Sequence, residues 1–348
     1  LLAAPDYQPS SRTFTQWQRL LSQGPVMVDY LHWFIWPSAE HLAFLHDGRI
    51  ASQSLFSPLA TFWSWLFLLL LLAISVWSMV TKRVIWLGIG LGWFFIGHLL
   101  ESTVLNLELA FEHRNYLPYA GLALITAVTT QHVLNFFTRI SLMQTSLALV
   151  LLCTPLTVLT EARTERWQSE ERLLEHWQHV AQNSGRYWTK LAAKHVRDQD
   201  LSKAFEALKQ GSRQVPWEDG FVLGQLTLMC ADTTLFTHAQ IQSVTQKAQQ
   251  LLATAPLTAY GITQFATLVS ACSQADMRTG LTPLMEQASD MKNRQIKGRA
   301  HYLMGVLAKD QGQLNDARQH WQQALQWEPS NQAAREQLTQ ISAQGTPL

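Results

Sequence analysis

Between Leu59 and Thr160 this chain almost stops carrying charge: the ionised side chains there are Lys82, Arg83, Glu101, Glu108, Glu112, Arg114 and Arg139. Over the whole sequence 15% of residues are charged, against about 25% in an average soluble protein. The deficit sits in this one stretch, because from Glu161 onward charge returns at ordinary density. A hydrocarbon core about 30 Å thick is crossed by roughly 20 apolar residues in helical form. The stretch divides into runs of that kind at Leu59–Thr81, Val84–Leu100, Asn115–Thr138 and Ile140–Thr160. The second is short but rich in Gly88, Gly90, Gly92 and Gly97, which let helices approach closely. Buried helices of a water-soluble core would not recur so often in so short a stretch without stripping the fold of polar surface. The expectation is an all-α protein with about four polytopic transmembrane helices, followed by a helical solenoid. Its parts are a non-cytoplasmic loop with an interfacial amphipathic helix (1–58), a four-helix transmembrane region (59–160) and a repeat domain (161–348).

Basic residues in short loops set the orientation of such helices. Lys82 and Arg83 join the first two runs and Arg139 the last two, so both turns face the cytoplasm. Segments 101–114, 1–58 and 161–348 then lie on the opposite side. Within the first 58 residues, Val26–Pro37 is too short to span and carries Tyr30, Trp33 and Trp36. Such aromatics favour the headgroup level. The segment reads either as a plain anchor or as the lining of a route for a lipid-linked substrate.

Several classes are excluded at this stage. A formal net charge of +1 without a basic run argues against nucleic acid. Three cysteines are too few for a disulfide framework: Cys153 lies in an apolar run, and Cys230 and Cys272 are expected to pack rather than to bridge. His176 and His179 lack the further ligands of a zinc site, and no metal site is assigned. Gly88-x-Gly90-x-Gly92 lies inside an apolar helix and is no phosphate loop. The chain begins Leu1-Leu2-Ala3 without methionine or signal peptide, and reads as the C-terminal portion, or a processed product, of a longer membrane protein.

The densest cluster of chemistry-bearing residues is Glu101, Ser102, Thr103, Glu108 and the run Phe111-Glu112-His113-Arg114-Asn115-Tyr116-Leu117-Pro118. Ionisable groups at a membrane boundary are costly and mark function by default. Arg114 suits a phosphate, since its planar fork donates two parallel hydrogen bonds. Pro118 opens the next helix, whose first amides also favour an anion. The plainer reading has Arg114 pair with Glu112 or Glu108 and close the outer ends of two helices.

The residues Gly97–Thr103, Leu107–Leu109 and Phe111–Pro118 together resemble a segment of bacterial polytopic membrane proteins that carry C-terminal tetratricopeptide repeats. Those are similar to the transmembrane-and-tetratricopeptide O-mannosyltransferases and, more broadly, to glycosyltransferases of the C-type fold. The likeness covers roughly residues 12–130 and the repeat architecture beyond. It implies transfer of a sugar from a polyprenyl-phosphate donor to an acceptor, a protein or peptide held by the repeats, outside the cytoplasm of a bacterial inner membrane. In that family the catalytic acid lies in a first outer loop, upstream of Leu1, so no catalytic residue is carried over. Arg114, supported by His113, would contact the lipid phosphate, with Asn115 and Tyr116 beside it. Glu101 and Glu112 would orient the arginine or help to hold a divalent cation. Lipid-linked oligosaccharide ligases and polymerases fit the same loop chemistry.

Beyond Glu161 an internal period emerges. Gly298–Asn331 fits one 34-residue tetratricopeptide unit, with Gly305, Ala308, Gly312, Leu314, Ala317, Trp321, Ala324 and Pro329 at its small, large and terminating positions. A second unit runs from Gly185 to about Asp219, with Trp188, Leu191, Ala192, Leu201, Ala204, Leu208, Gly211 and Pro216 in register. Degenerate pairs between them, including Leu251–Pro256 and Leu268–Cys272, bring the expectation to three or four helix pairs. Such solenoids present a concave face to peptides or proteins, unless this one is a stabilising cap without a ligand. Two functions follow: the glycosyltransferase, or a non-catalytic membrane-anchored scaffold for an envelope or secretion complex.

Overall fold

A computed structural model describes residues 14–38, 44–103, 107–136, 142–254, 257, 259–272 and 281–344. Among these the regular structure is helical, and the chain divides into two units, Phe14–Tyr187 and Trp188–Leu348. Arg139, Ala255 and Pro256 lie outside the described residues.

The first unit opens with α1 (Gln16–Ile35), which starts ten residues before the segment marked out by its aromatics. Thr15 caps it: its hydroxyl accepts from the Gln18 amide at 3.2 Å, and the Gln18 side chain accepts from the Thr15 amide at 2.8 Å, a reciprocal capping box. Pro25 stands inside the helix, where it strips the Leu21 carbonyl of its usual donor. That carbonyl accepts from Trp65 Nε1 instead, at 3.0 Å. The neighbouring Gly24 makes room, since a Cβ there would sit 2.6 Å from the same indole nitrogen. A helix that ought to break at Pro25 therefore continues.

Next come α2 (Leu59–Thr81) and α3 (Ile85–Leu99), then a short 3-10 turn (Glu112–Asn115), α4 (Tyr116–Phe136), α5 (Leu142–Arg166) and α6 (Glu170–Val180). α1 packs on α2, α2 on α3, and α3 on α4. Glycines bring these helices together as expected. A Cβ on Gly88 would lie 2.8 Å from the Ser75 carbonyl, and one on Gly90 would lie 2.6 Å from that of Gly121. Ser75 Oγ donates to the Gly88 carbonyl at 2.8 Å across the same crossing.

The expectation of about four membrane-spanning helices is not supported. Among the described residues, α2 is the one helix both long and apolar enough to cross a membrane by length and composition. α3 is apolar but 15 residues long. α4 is diluted by Thr126, Thr129, Thr130, Gln131 and His132. The unit has apolar clusters of its own, such as Met27, Leu68, Phe94 and Leu122, yet it also exposes many large hydrophobics. Among the described residues, the exposed large hydrophobics other than Val196, Trp217, Leu235 and Leu314 belong to this unit, while Arg19, Gln23, Ser75, His98 and Asn115 are among the polar residues it buries.

The second unit has the ordinary sense, apolar inside. Following α7 (Gly185–Arg197), which begins at the end of the first unit, it comprises α8 (Leu201–Gln214), α9 (Gly220–Ala231), α10 (His238–Thr254), α11 (Ala259–Cys272), α12 (Thr282–Ser289), α13 (Arg294–Asp310), α14 (Leu314–Trp327) and α15 (Gln332–Gln344). α13 packs chiefly on α14 and α8 on α9, as solenoid pairs do, whereas α9 packs mainly on α11, and α15 packs on α14. One core, including Phe221, Leu223, Leu226, Phe265, Leu268 and Trp321, runs through them.

The sequence register is visible in the packing. Trp188 of α7 lies against Gly211 of α8, where a Cβ would be 2.8 Å away. In the last unit Gly305 of α13 faces Trp321 of α14, whose Nε1 donates to the Tyr302 carbonyl at 3.1 Å. Gly312 turns the chain between them at φ +77°, a conformation glycine adopts without penalty. One expectation is corrected. Cys230 and Cys272 do not merely pack; they form a disulfide between α9 and α11, closing a separation of 42 residues. Side-by-side packing of two helices so far apart in sequence is invisible to residue spacing.

Candidate functional site

The loop between α3 and α4 is held by one face of α1. Arg19, fully buried, donates from Nε to the Leu107 carbonyl at 2.9 Å and from a terminal nitrogen to the Glu101 carbonyl. One turn on, Gln23 Nε2 donates to the Leu109 carbonyl at 3.2 Å. Two turns further, the Tyr30 hydroxyl accepts from the Phe111 amide at 2.8 Å and lies 3.3 Å from its carbonyl. Positions 19, 23 and 30 share a helix face by the 3.6-residue period, so the helix holds the backbone at Glu101, Leu107, Leu109 and Phe111. Tyr119 ties α4 to the same helix, its hydroxyl donating to the Tyr30 carbonyl at 2.8 Å. Burial raises the Tyr30 hydroxyl above its ordinary pKa, although the Phe111 hydrogen bond and the Arg114 charge pull the other way. It therefore stays a neutral donor and acceptor.

On this support the expected site residues separate into two groups. Arg114 is nearly enclosed, its side chain 6% exposed, and pairs with Glu101 at 3.4 Å. One terminal nitrogen donates to the Glu108 carbonyl at 2.6 Å, and the guanidinium lies 5.9 Å from the Phe111 ring centroid. Glu112 belongs elsewhere. It accepts from the Phe44 amide at 2.7 Å, lies 3.3 Å from His46 Nε2, and pairs with Arg163 of α5. Burial alone would raise the Glu112 carboxyl, but hydrogen bonds from His46, Arg163 and Phe44 hold it below its ordinary value. It is ionised, and it joins the 44–46 segment, the 3-10 turn and α5.

The remaining expected residues differ in access. His113 is exposed, its ring 4.3 Å from that of Phe111, and Tyr116 is 82% exposed. Asn115 is buried. Among the described residues, no group of three His, Cys, Asp or Glu side chains is placed to hold a metal ion.

Arg19 and Gln23 escape the sequence reading. Asp47 caps the start of α7: it accepts from Ser184 Oγ at 2.6 Å and from the Arg186 amide at 3.2 Å. Arg186 in turn pairs with Glu108. Arg49 and Asp29 pair at 2.5 Å and anchor the same turn to α1. The helical spacing of polar residues in α1 was the one available signal. Pro25, which argues for a helix boundary, obscured it.

The tetratricopeptide repeat family matches residues 298–331, the same limits that the sequence register marks out. No curated protein and no solved structure matches the chain. This chain contains a tetratricopeptide repeat within an all-helical, solenoid-like architecture, the kind of module that mediates contacts between proteins.

Proposed function

We propose that this chain is a membrane-embedded scaffold whose repeats hold a protein or peptide partner on the non-cytoplasmic side of a bacterial inner membrane. The observation that carries this is the surface of α2 and α3, where Leu66, Leu69, Leu70, Trp77, Ile89 and Trp93 are exposed while Thr61, Ser75, Ser78 and His98 of the same helices are buried. In water an apolar surface of that extent would drive association; in lipid it is solvated. Four passes remain the reading of the apolar runs. At 15 residues α3 spans roughly 22 Å, a mismatch that a bilayer absorbs by local thinning. The Cys230–Cys272 disulfide accords with an oxidising compartment for the repeats, and Lys82–Arg83 accords with a cytoplasmic turn. Alkaline carbonate treatment of membranes carrying the chain is the test: it is expected to stay in the sediment, and release into the supernatant would overturn the reading.

A sharper reading makes the partner a substrate. The chain is then the C-terminal part of a C-type glycosyltransferase, moving a sugar from a polyprenyl phosphate to the protein on its repeats. What favours it is the loop itself: its backbone is pinned by three α1 side chains while His113 and Tyr116 stand open beside the Arg114 cation. An anionic headgroup would meet His113 and Tyr116 first, with Arg114 and Asn115 behind them. Glu101 and Glu112 do not fit a divalent cation, since their carboxylates are committed to Arg114 and to His46 and Arg163. In the full-length protein Arg114→Ala is expected to abolish transfer. His113→Ala, which removes an exposed ring, is expected to lower transfer about tenfold or more, roughly the value of one contact to a charged group, without loss of fold. Near-normal transfer by both variants would sink the catalytic reading and leave the scaffold standing.

A further inference from the structure

The last repeat departs from its own pattern at a revealing place. The tetratricopeptide pattern opens on a large aromatic, three residues before its leucine and four before its glycine. In the α7–α8 pair that position is Trp188, packed on Gly211. In the α13–α14 pair it is His301, four residues before Gly305, and the ring it meets is another imidazole. His301 Nδ1 and His320 Nδ1 lie 3.3 Å apart, with ring centroids at 5.5 Å. Two imidazoles can share one proton across such a contact, one nitrogen donating and the other accepting, only while at least one ring is neutral. When both are protonated, two donors and two positive charges face each other.

We propose that the His301–His320 pair is a pH-sensitive latch on the crossing of α13 and α14: neutral, it closes the last repeat, and on acidification it opens that repeat. The charged groups acting on the pair are Lys297 of α13, Asp290 at the end of α12 and Asp316 of α14. Burial lowers the pKa of both rings. The charges of His320 and Lys297 lower His301 further against Asp290, and Asp316 opposes the effect at His320. The sign follows. Rings whose pKa is depressed in the folded state bind more protons when the crossing is open. Opening is therefore favoured as pH falls below the ordinary histidine value of about 6.5 and unaffected well above it. The steepest possible dependence is about tenfold in the opening equilibrium per pH unit for each extra proton.

Hydrogen–deuterium exchange on the full chain in detergent or lipid, compared as protection factors at pH 7.5 and pH 5.0, tests the latch. Wild type is expected to lose protection several-fold in α13 and α14 at the lower pH, while α8 and α9 keep theirs. His320→Gln, which retains a hydrogen-bonding side chain that does not titrate, is expected to lose this selective response. His301→Phe, which restores an aromatic at the pattern position, is a second variant should the first fail to fold. An equal pH response in wild type and variant, or none in wild type, overturns the latch. Neither result bears on whether the first unit sits in a membrane.

Discussion

The two units differ in what they bury and in what they leave exposed. In the repeats the fully buried side chains include Phe221, Leu223, Leu226, Met229, Phe265 and Trp321, and among the described residues the buried polar ones are Asp219, Gln225 and Thr245. In Phe14–Tyr187 the buried set includes Arg19, Gln23, Thr61, Ser75, His98 and Asn115, while Leu66, Leu69, Leu70, Trp77 and Val80 are exposed. The repeats are held by the removal of apolar area from water. The other unit cannot be held that way if its surroundings are hydrocarbon. There, close backbone approach at Gly88 and Gly90 and buried hydrogen bonds such as Ser75 to Gly88 supply the specificity, as in membrane helix packing generally. The difference teaches that hydrophobicity alone does not locate a core; one has to ask which solvent each face meets.

The contrast can be broken from either end. The largest effect belongs to the repeat core: Phe221→Ala removes a ring with no exposure and is expected to cost about 3–5 kcal/mol, read as a fall in the unfolding midpoint of the repeats. The same truncation at an outward α2 position, Leu70→Ala, is expected to cost far less. Next comes a charge on that outward face. Leu70 is 57% exposed, so Leu70→Lys would be harmless in water, whereas in a bilayer it costs about 2.5–3.5 kcal/mol of insertion, seen as a reduced membrane-inserted fraction. The smallest of the three sharpens the account of the loop. Tyr30→Phe leaves the Phe111 amide without its acceptor, an expected cost of about 1–3 kcal/mol. Its signature is faster amide exchange confined to residues 107–112.

Much of this organisation was legible in the residues. The charge-poor stretch marked out α2 as long and apolar enough to cross a membrane, because a lack of charge needs no knowledge of contacts, but the division into four spans is not supported. Gly298–Asn331 was legible because small residues recur wherever two helices cross, and the same limits are matched by the repeat family. The loop was only half legible. Its residues stood out, but Arg114 pairs with the Glu101 side chain and the Glu108 carbonyl, and Glu112 with His46 and Arg163. Periodicity says nothing about how an irregular segment folds back on itself, so partners cannot be read from spacing. Pro25 hid the first half of α1, since the donor that rescues it, Trp65, lies forty residues away in sequence. The disulfide was hidden for the same reason: Cys230 and Cys272 meet only because α9 and α11 pack together.

The central claim is that the two units face different solvents, and spin labels on single cysteines test it most directly. A label at Leu70 on α2 and another at Val196 on α7, both exposed positions, would be compared for collision with oxygen, which concentrates in lipid, and with a water-soluble nickel chelate. In reconstituted membranes the label at 70 is expected to meet oxygen and be shielded from nickel, and the label at 196 to show the reverse. Equal and high nickel accessibility at both positions would contradict the account.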